Sequence, residues 1–232
     1  MSLNQFVDIK NRIEEGEHID QMLTNLTNIA NASSRTNMNN LLNISFLLYI
    51  KSLKTPKKRR LNYIKDAYQW LRRANNEGTS FCSYYLTCRI LCFLIKEGNL
   101  SMKEKATFSI EIYENLLKME KHNRNNEETR TIRGILTFRA ANLGFVIRSA
   151  AKAFCCASTI QLLREATFEK AKSCFEAIDN QTIEVIYYLI KIHLKLNNKK
   201  IARDYYGILK GMEVKNFYES ELVSEIADVF KK

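Results

Sequence analysis

The chain has 232 residues, 46% of them hydrophobic, with only seven glycines and one proline. That composition excludes a disordered segment or a collagen-like repeat and is sufficient to bury a sizeable core. Thirty-six Lys and Arg against 25 Asp and Glu leave a net charge of +11, which implies attraction to anions without saying which anion.

Glycine and proline punctuate turns and break helices, so their scarcity beside abundant Leu, Ile, Lys, Glu and Asn predicts an all-α fold of about nine or ten helices. The first spans residues 4–16, with Phe6, Ile9 and Ile13 on one stripe. After Gly16, a second spans 18–31, with Ile19, Met22, Leu23, Leu26 and Ile29 at helical spacing. The polar stretch NASSRTN offers caps for a third helix, from Met38 to Lys54, which Pro56 ends because proline lacks the donor a continuing helix requires.

A basic run of six cations from Lys51 to Arg60 surrounds that proline. Beyond it, LNYIKDAYQWLRRANNEG reads as a helix with Tyr63, Ala67, Trp70 and Leu71 inward and Gly78 as its stop. Ser80 to Lys96 is apolar on every side, which implies deep burial. Lys103 to Lys121 is amphipathic, and KHNRNNEET connects it to helices over Thr131–Arg148, Ala151–Ala177 and Thr182–Asn197. KKIARDYYGILKG and FYESELVSEIADVFKK predict two short terminal helices. The expected organisation is a helical domain over 1–198 with an extension over 199–232 packed on or near it.

No stretch reaches the roughly 20 apolar residues that span a bilayer, and the N-terminus carries charge where a signal peptide needs an apolar run. A cytoplasmic protein without membrane contact is expected. Cys82, Cys88, Cys92, Cys155, Cys156 and Cys174 lie in apolar helical stretches without paired CxxC spacing, as reduced core residues do. No metal site or other cofactor is expected from them. Phosphate loops, HExxH and the nucleophile elbow are absent from the sequence, so the expectation is a binding protein, not an enzyme. Without zinc-finger, RRM or KH motifs, nucleic acid is a minor alternative partner.

Paired helices raise the tetratricopeptide repeat. VIYYLIKIHLKLNNKKIARDYYGILKGME has that repeat's small-to-large rhythm, but a period of about 34 residues does not recur upstream. A tetratricopeptide-like basic helical scaffold, binding protein or nucleic acid without reading phosphate, stands as the alternative.

Read in order, the helices resemble those of 14-3-3 proteins. QFVDIKNRIEEGEHIDQM is similar to that family's opening through Val7, Glu14, Glu17, Asp20 and Met22; Asn40, Leu41, Leu42, Ile44, Ser45 and Phe46 resemble the start of its third helix. YYLTCRILCFLIKEG, SIEIYENLLKMEK and VIYYLIKIHLKLN resemble later helices, as does TRTIRGILTFRAANLGFVI through Thr129, Ile132, Arg133, Leu136 and Ile147. KAFCCASTIQLLREA is similar to the eighth helix. The resemblance covers residues 4–197; a shortened turn between Lys54 and Ser80 and the terminal helices depart from it.

The resemblance implies a phosphoserine- or phosphothreonine-dependent adaptor for signalling, with fixed cations facing the phosphate. On the family's pattern, Leu47 replaces a pocket lysine, Lys54 one arginine, and Lys58 or Arg59 a second. Lysine offers a point charge in place of a bidentate fork. Arg89 is the only guanidinium on the fifth helix. Arg139 aligns with a peptide-binding asparagine, Asn142 lies one turn away, and Val185, Ile186 and Leu189 stand for the groove's apolar wall. His193 replaces an asparagine and Asn197 a tryptophan, so the implied groove is atypical. Arg12, His18 and Gln21 alter the family's pairing surface, which implies a weak or rearranged homodimer or heterodimer.

Overall fold

The computed structural model describes residues 3–14, 18–32, 37–143 and 157–231. Gly16, residues 33–36, Ile147, Arg148, Cys155, Cys156 and the expected helix start at Ala151 lie outside them. Among the described residues there are twelve helices and no strand, which is the all-α class. The chain divides into two compact units, Met1–His122 and Asn123–Lys232.

In the first unit, α1 (Leu3–Glu14) buries Phe6, Ile9 and Ile13. Phe6 stacks on Phe46 of α3 (Met38–Leu53) with ring centroids 4.1 Å apart. α2 (Ile19–Ala32) turns Met22 and Ala30 to the core but leaves Ile29 52% exposed, because α3 is the main neighbour it packs against. Asn37 caps α3 by accepting the Asn39 N–H at 2.9 Å.

α4 (Lys57–Glu77) begins directly after Pro56, so the second half of the basic run, Lys57 to Arg60, expected to precede the helix, is its first turn. Proline suits this position because its fixed φ matches helix entry. α3 and α4 form the most extensive helix pair of the unit, and Ser45 Oγ, buried between them, donates to Ala67 O at 2.9 Å. At the far end Gly78 has φ +157, a conformation that side chains rarely adopt.

α5 (Phe81–Glu97) starts with a capping box between Ser80 and Ser83 and is buried nearly throughout from Cys82 to Leu94. α6 (Met102–Asn123) starts with another, in which Glu104 accepts the Ser101 N–H at 2.8 Å. Cys88 Sγ, inside the α5–α6 contact, donates to Ile112 O at 3.4 Å.

The second unit comprises α7 (Glu127–Ala141), α8 (Ala157–Glu165), α9 (Phe168–Glu176), α10 (Ile183–Lys195), α11 (Lys199–Gly211) and α12 (Phe217–Phe230). Residues 127–130, expected in a loop or at its edge, are the first turn of α7, capped by Asn126. The segment expected as one helix up to Ala177 breaks at Ala166 and Thr167. Thr167 Oγ1 accepts the Lys170 N–H at 3.1 Å and caps a separate α9.

α10 is the hub, packed against α7, α9, α11 and α12. Tyr188 stacks on Phe175 at 5.2 Å and meets Phe138 edge-on at 5.4 Å. Gly134 is required where α7 meets α9: a Cβ there would lie 2.7 Å from the Phe175 ring. α10 ends in a Schellman turn. Asn197 takes φ +60, Asn198 N–H donates to His193 O at 2.8 Å, and Asn197 N–H to Leu194 O at 3.2 Å.

Candidate interaction surface

The basic run is split between two tasks by one buried contact. Arg60 is fully buried, and its Nη1 donates to Glu97 Oε1 at 2.8 Å, with Nε donating to Ser52 O and Nη2 to Thr55 O, both at 3.2 Å. One guanidinium therefore joins the end of α3, the start of α4 and the end of α5. Lys51 is similarly engaged: it pairs with Asp20 of α2 and lies over the Tyr63 ring, 4.6 Å from its centroid.

The remaining members, Lys54, Lys57, Lys58 and Arg59, are exposed. Because Arg60 holds the last residue of α5 against the first turn of α4, the α5–α6 turn lies at this same end of the unit. That turn adds exposed Lys96 and Lys103, and Met102, 66% exposed, between them in sequence. Two carboxylates at this end are occupied: Glu97 by Arg60 and Glu104 by the α6 cap. The result is a polybasic end on which Met102 is a large exposed apolar side chain.

Helix electrostatics sharpens the point. The first turn of a helix favours Asp and Glu, because its unsatisfied N–H groups carry partial positive charge. α4 has no acid in its first turn, opens with Lys57, Lys58 and Arg59, and Pro56 supplies no side-chain cap. Three cations at the positive end of a helix are locally unfavourable and relieved by an external anion.

The expected site residues fall in both units. Lys54, Lys58 and Arg59 are on the exposed basic end of the first. Arg89, in the same unit, is 9% exposed, and its Nε donates to the Tyr49 hydroxyl at 3.0 Å, a contact between α5 and α3. Arg139, Asn142, Val185, Ile186, Leu189 and His193 belong to the second unit. Arg139 is half-buried near Tyr187, and Asn142 is the exposed C-cap of α7. Val185, Ile186 and Leu189 are at most 1% exposed and form the core face of α10.

His193 is buried, its ring stacked on Tyr205 of α11 with centroids 5.6 Å apart. Its Nδ1 finds no hydrogen-bond partner among the described residues. Burial first, and then the charge of Lys172, lower its pKa below the ordinary histidine value, with Glu176 opposing.

Of the described cysteines, Cys82, Cys88 and Cys92 are buried thiols and Cys174 is a half-buried one. Burial pushes the Cys82 thiol up to about 11 and Cys88 well above its ordinary value, so neither is a ready thiolate. Among the described residues no group of three or more His, Cys, Asp or Glu could hold a metal, and no helix is long and apolar enough to cross a membrane.

A family model described as RMD1-3, regulator of microtubule dynamics protein 1-3, matches residues 3–232. The chain belongs to this family. No curated protein matches it in sequence. The RMD1-3 match runs through both units and includes the terminal helices, which the 14-3-3 resemblance left unaccounted for.

Membership in RMD1-3 overturns the 14-3-3 assignment and, with it, the reading as a phosphopeptide-binding adaptor. The physical reason is visible in the matched residues. Met22, Leu41, Leu42, Ile44, Phe46, Ile132 and Leu136 are all buried. They report helix packing, which any antiparallel helical array requires, and carry no information about a ligand. The tetratricopeptide-like scaffold gains no specific support from the family match. Sequence reasoning also missed Arg60 as a structural ion and Met102 and Lys103 as parts of the basic end; the helical spacing of Arg60, Ile64, Ala67 and Leu71 after Pro56 was the available signal that a helix starts at Lys57.

Proposed function

We propose that this chain is a non-enzymatic, protein-binding helical module acting in the regulation of microtubule dynamics, and that the basic end of its first unit engages an acidic protein surface. Membership in RMD1-3 supports the process. The observation that carries the surface is the placement of Lys54, Lys57, Lys58 and Arg59, exposed around the acid-free first turn of α4, while Arg60 is withdrawn into the Glu97 pair.

Exposed lysines on a rigid helix hairpin favour charge steering, with fast, salt-sensitive association. Met102 supplies a flexible apolar contact that adapts to a partner's shape. This reading places the protein in the cytoplasm, where its partners would be microtubules or proteins that act on them.

Co-sedimentation of the intact chain with taxol-stabilised microtubules tests this at graded ionic strength. Binding that weakens steeply with salt supports the reading. Absence of binding at low salt, together with no effect on microtubule growth or shortening rates, sinks it.

A further inference from the structure

Five of the eight exposed large hydrophobic residues among the described positions, Ile201, Ile208, Val214, Phe217 and Val229, lie in α11, α12 and the connection between them. Such a concentration marks a contact surface better than scattered single residues do. Ile201 and Ile208 are seven residues apart and therefore share one face of α11. Phe217 begins the outward side of α12, which continues through the exposed Ser220, Ser224 and Asp228.

Charge divides these two helices. α11 carries Lys199, Lys200, Arg203 and Lys210 against Asp204; α12 carries Glu219, Glu221, Glu225 and Asp228 with no Lys or Arg, Glu225 being paired with Lys191 of α10 and Asp228 with the adjoining Lys231. The helices lie side by side on α10, and Tyr206 of α11 stacks on Phe230 of α12 at 4.7 Å. Gly207 adds a third observation. It sits inside α11, where glycine weakens a helix, yet a Cβ there would meet nothing within 4 Å. Nothing in its own unit requires that glycine.

We infer that the chain self-associates through this hairpin, with α11 of one copy packed against α12 of a second copy and the reverse contact formed by the two-fold axis. A two-fold interface must be self-complementary. A basic apolar helix beside an acidic apolar helix meets that condition: Ile208 faces the partner's apolar side, and Arg203 and Lys200 face its carboxylates. Gly207 admits the partner helix closely. The surface is distinct from the α1 region, around Arg12, His18 and Gln21, implied by the 14-3-3 resemblance. Two helices per copy make a small interface, so the association is weak and concentration-dependent.

Sedimentation velocity of the full chain from low to high micromolar concentration tests the inference. The expected result is a monomer–dimer equilibrium weakened at least about tenfold by Ile208→Glu, and likewise by Gly207→Leu, with helical content unchanged. K200E/R203E and D228K are each impaired alone, but their mixture associates more tightly than either, because one contact keeps the wild-type charges and the other sets the new carboxylates against the new lysine. A monomer at every concentration overturns the inference. So does association that survives I208E and G207L, or a mixture of the two charge variants that stays monomeric.

Discussion

Arg60 and Glu97 meet at 2.8 Å with side chains 0% and 5% exposed. Their contact converts one cation of a basic run into a clamp between the ends of α3, α4 and α5. An ion buried this deeply tolerates its environment only while its partner and hydrogen bonds are in place.

Glu97→Ala therefore removes a buried carboxylate from a buried guanidinium and destabilises the first unit by about 3–5 kcal/mol. Replacing both partners by apolar residues, Arg60→Met with Glu97→Leu, recovers most of that loss. Urea unfolding followed by the fluorescence of Trp70, the only tryptophan, measures both. A shift for Glu97→Ala below about 1 kcal/mol would show that the clamp is not what closes this end.

Gly134→Ala places a methyl group 2.7 Å from the Phe175 ring, which is itself stacked on Tyr188. The ring cannot retreat without disturbing the α9–α10 contact, so a loss of about 1–3 kcal/mol is expected, despite alanine's better helix propensity. Thermal unfolding by circular dichroism reads the sign. A gain in stability would mean that α7 and α9 separate easily.

His193 makes the second unit acid-sensitive. Its folded pKa lies below the ordinary value, so the unfolded chain takes up a proton first as pH falls. Stability from the neutral buried ring is full above the unfolded pKa, near 6.5, and is lost as pH drops through the lower folded value. His193→Phe keeps the stacking on Tyr205 and should flatten the decline between neutral and mildly acidic pH. Equal acid sensitivity in wild type and variant would assign the effect to other groups.

Much of the fold was legible. α5 reads as a buried helix because its apolar residues occupy every side, and Ser80, Pro56 and Gly78 marked boundaries through their backbone chemistry. The errors lay where one residue decides between continuing and restarting a helix. Thr167 caps α9 inside what reads as one amphipathic run, and Lys57 to Arg60 look like a loop because charge there opposes the helix dipole. The binding surface was harder to read for a different reason. Arg60 and Arg59 are neighbours of one chemical type, yet Arg60 is buried and Arg59 exposed, because once α4 starts at Lys57 Arg60 falls on the stripe that buries Ile64, Ala67 and Leu71. The helix-packing pattern that suggested 14-3-3 proteins likewise specifies a core and leaves the ligand undetermined.

The most direct test of the basic end compares two variants with the same change in charge. K57E/K58E reverses two exposed lysines at the start of α4, and K121E/R124E reverses two exposed cations, one in the last turn of α6 and one just beyond it in sequence. Carboxylates suit the first turn of a helix, so K57E/K58E should fold at least as stably as the wild type. In microtubule co-sedimentation at low salt, K57E/K58E should lose binding by at least about tenfold while K121E/R124E stays within about twofold of wild type. Equal losses in the two variants would contradict the account, since they would make net charge alone, and not the α4 end, responsible for binding.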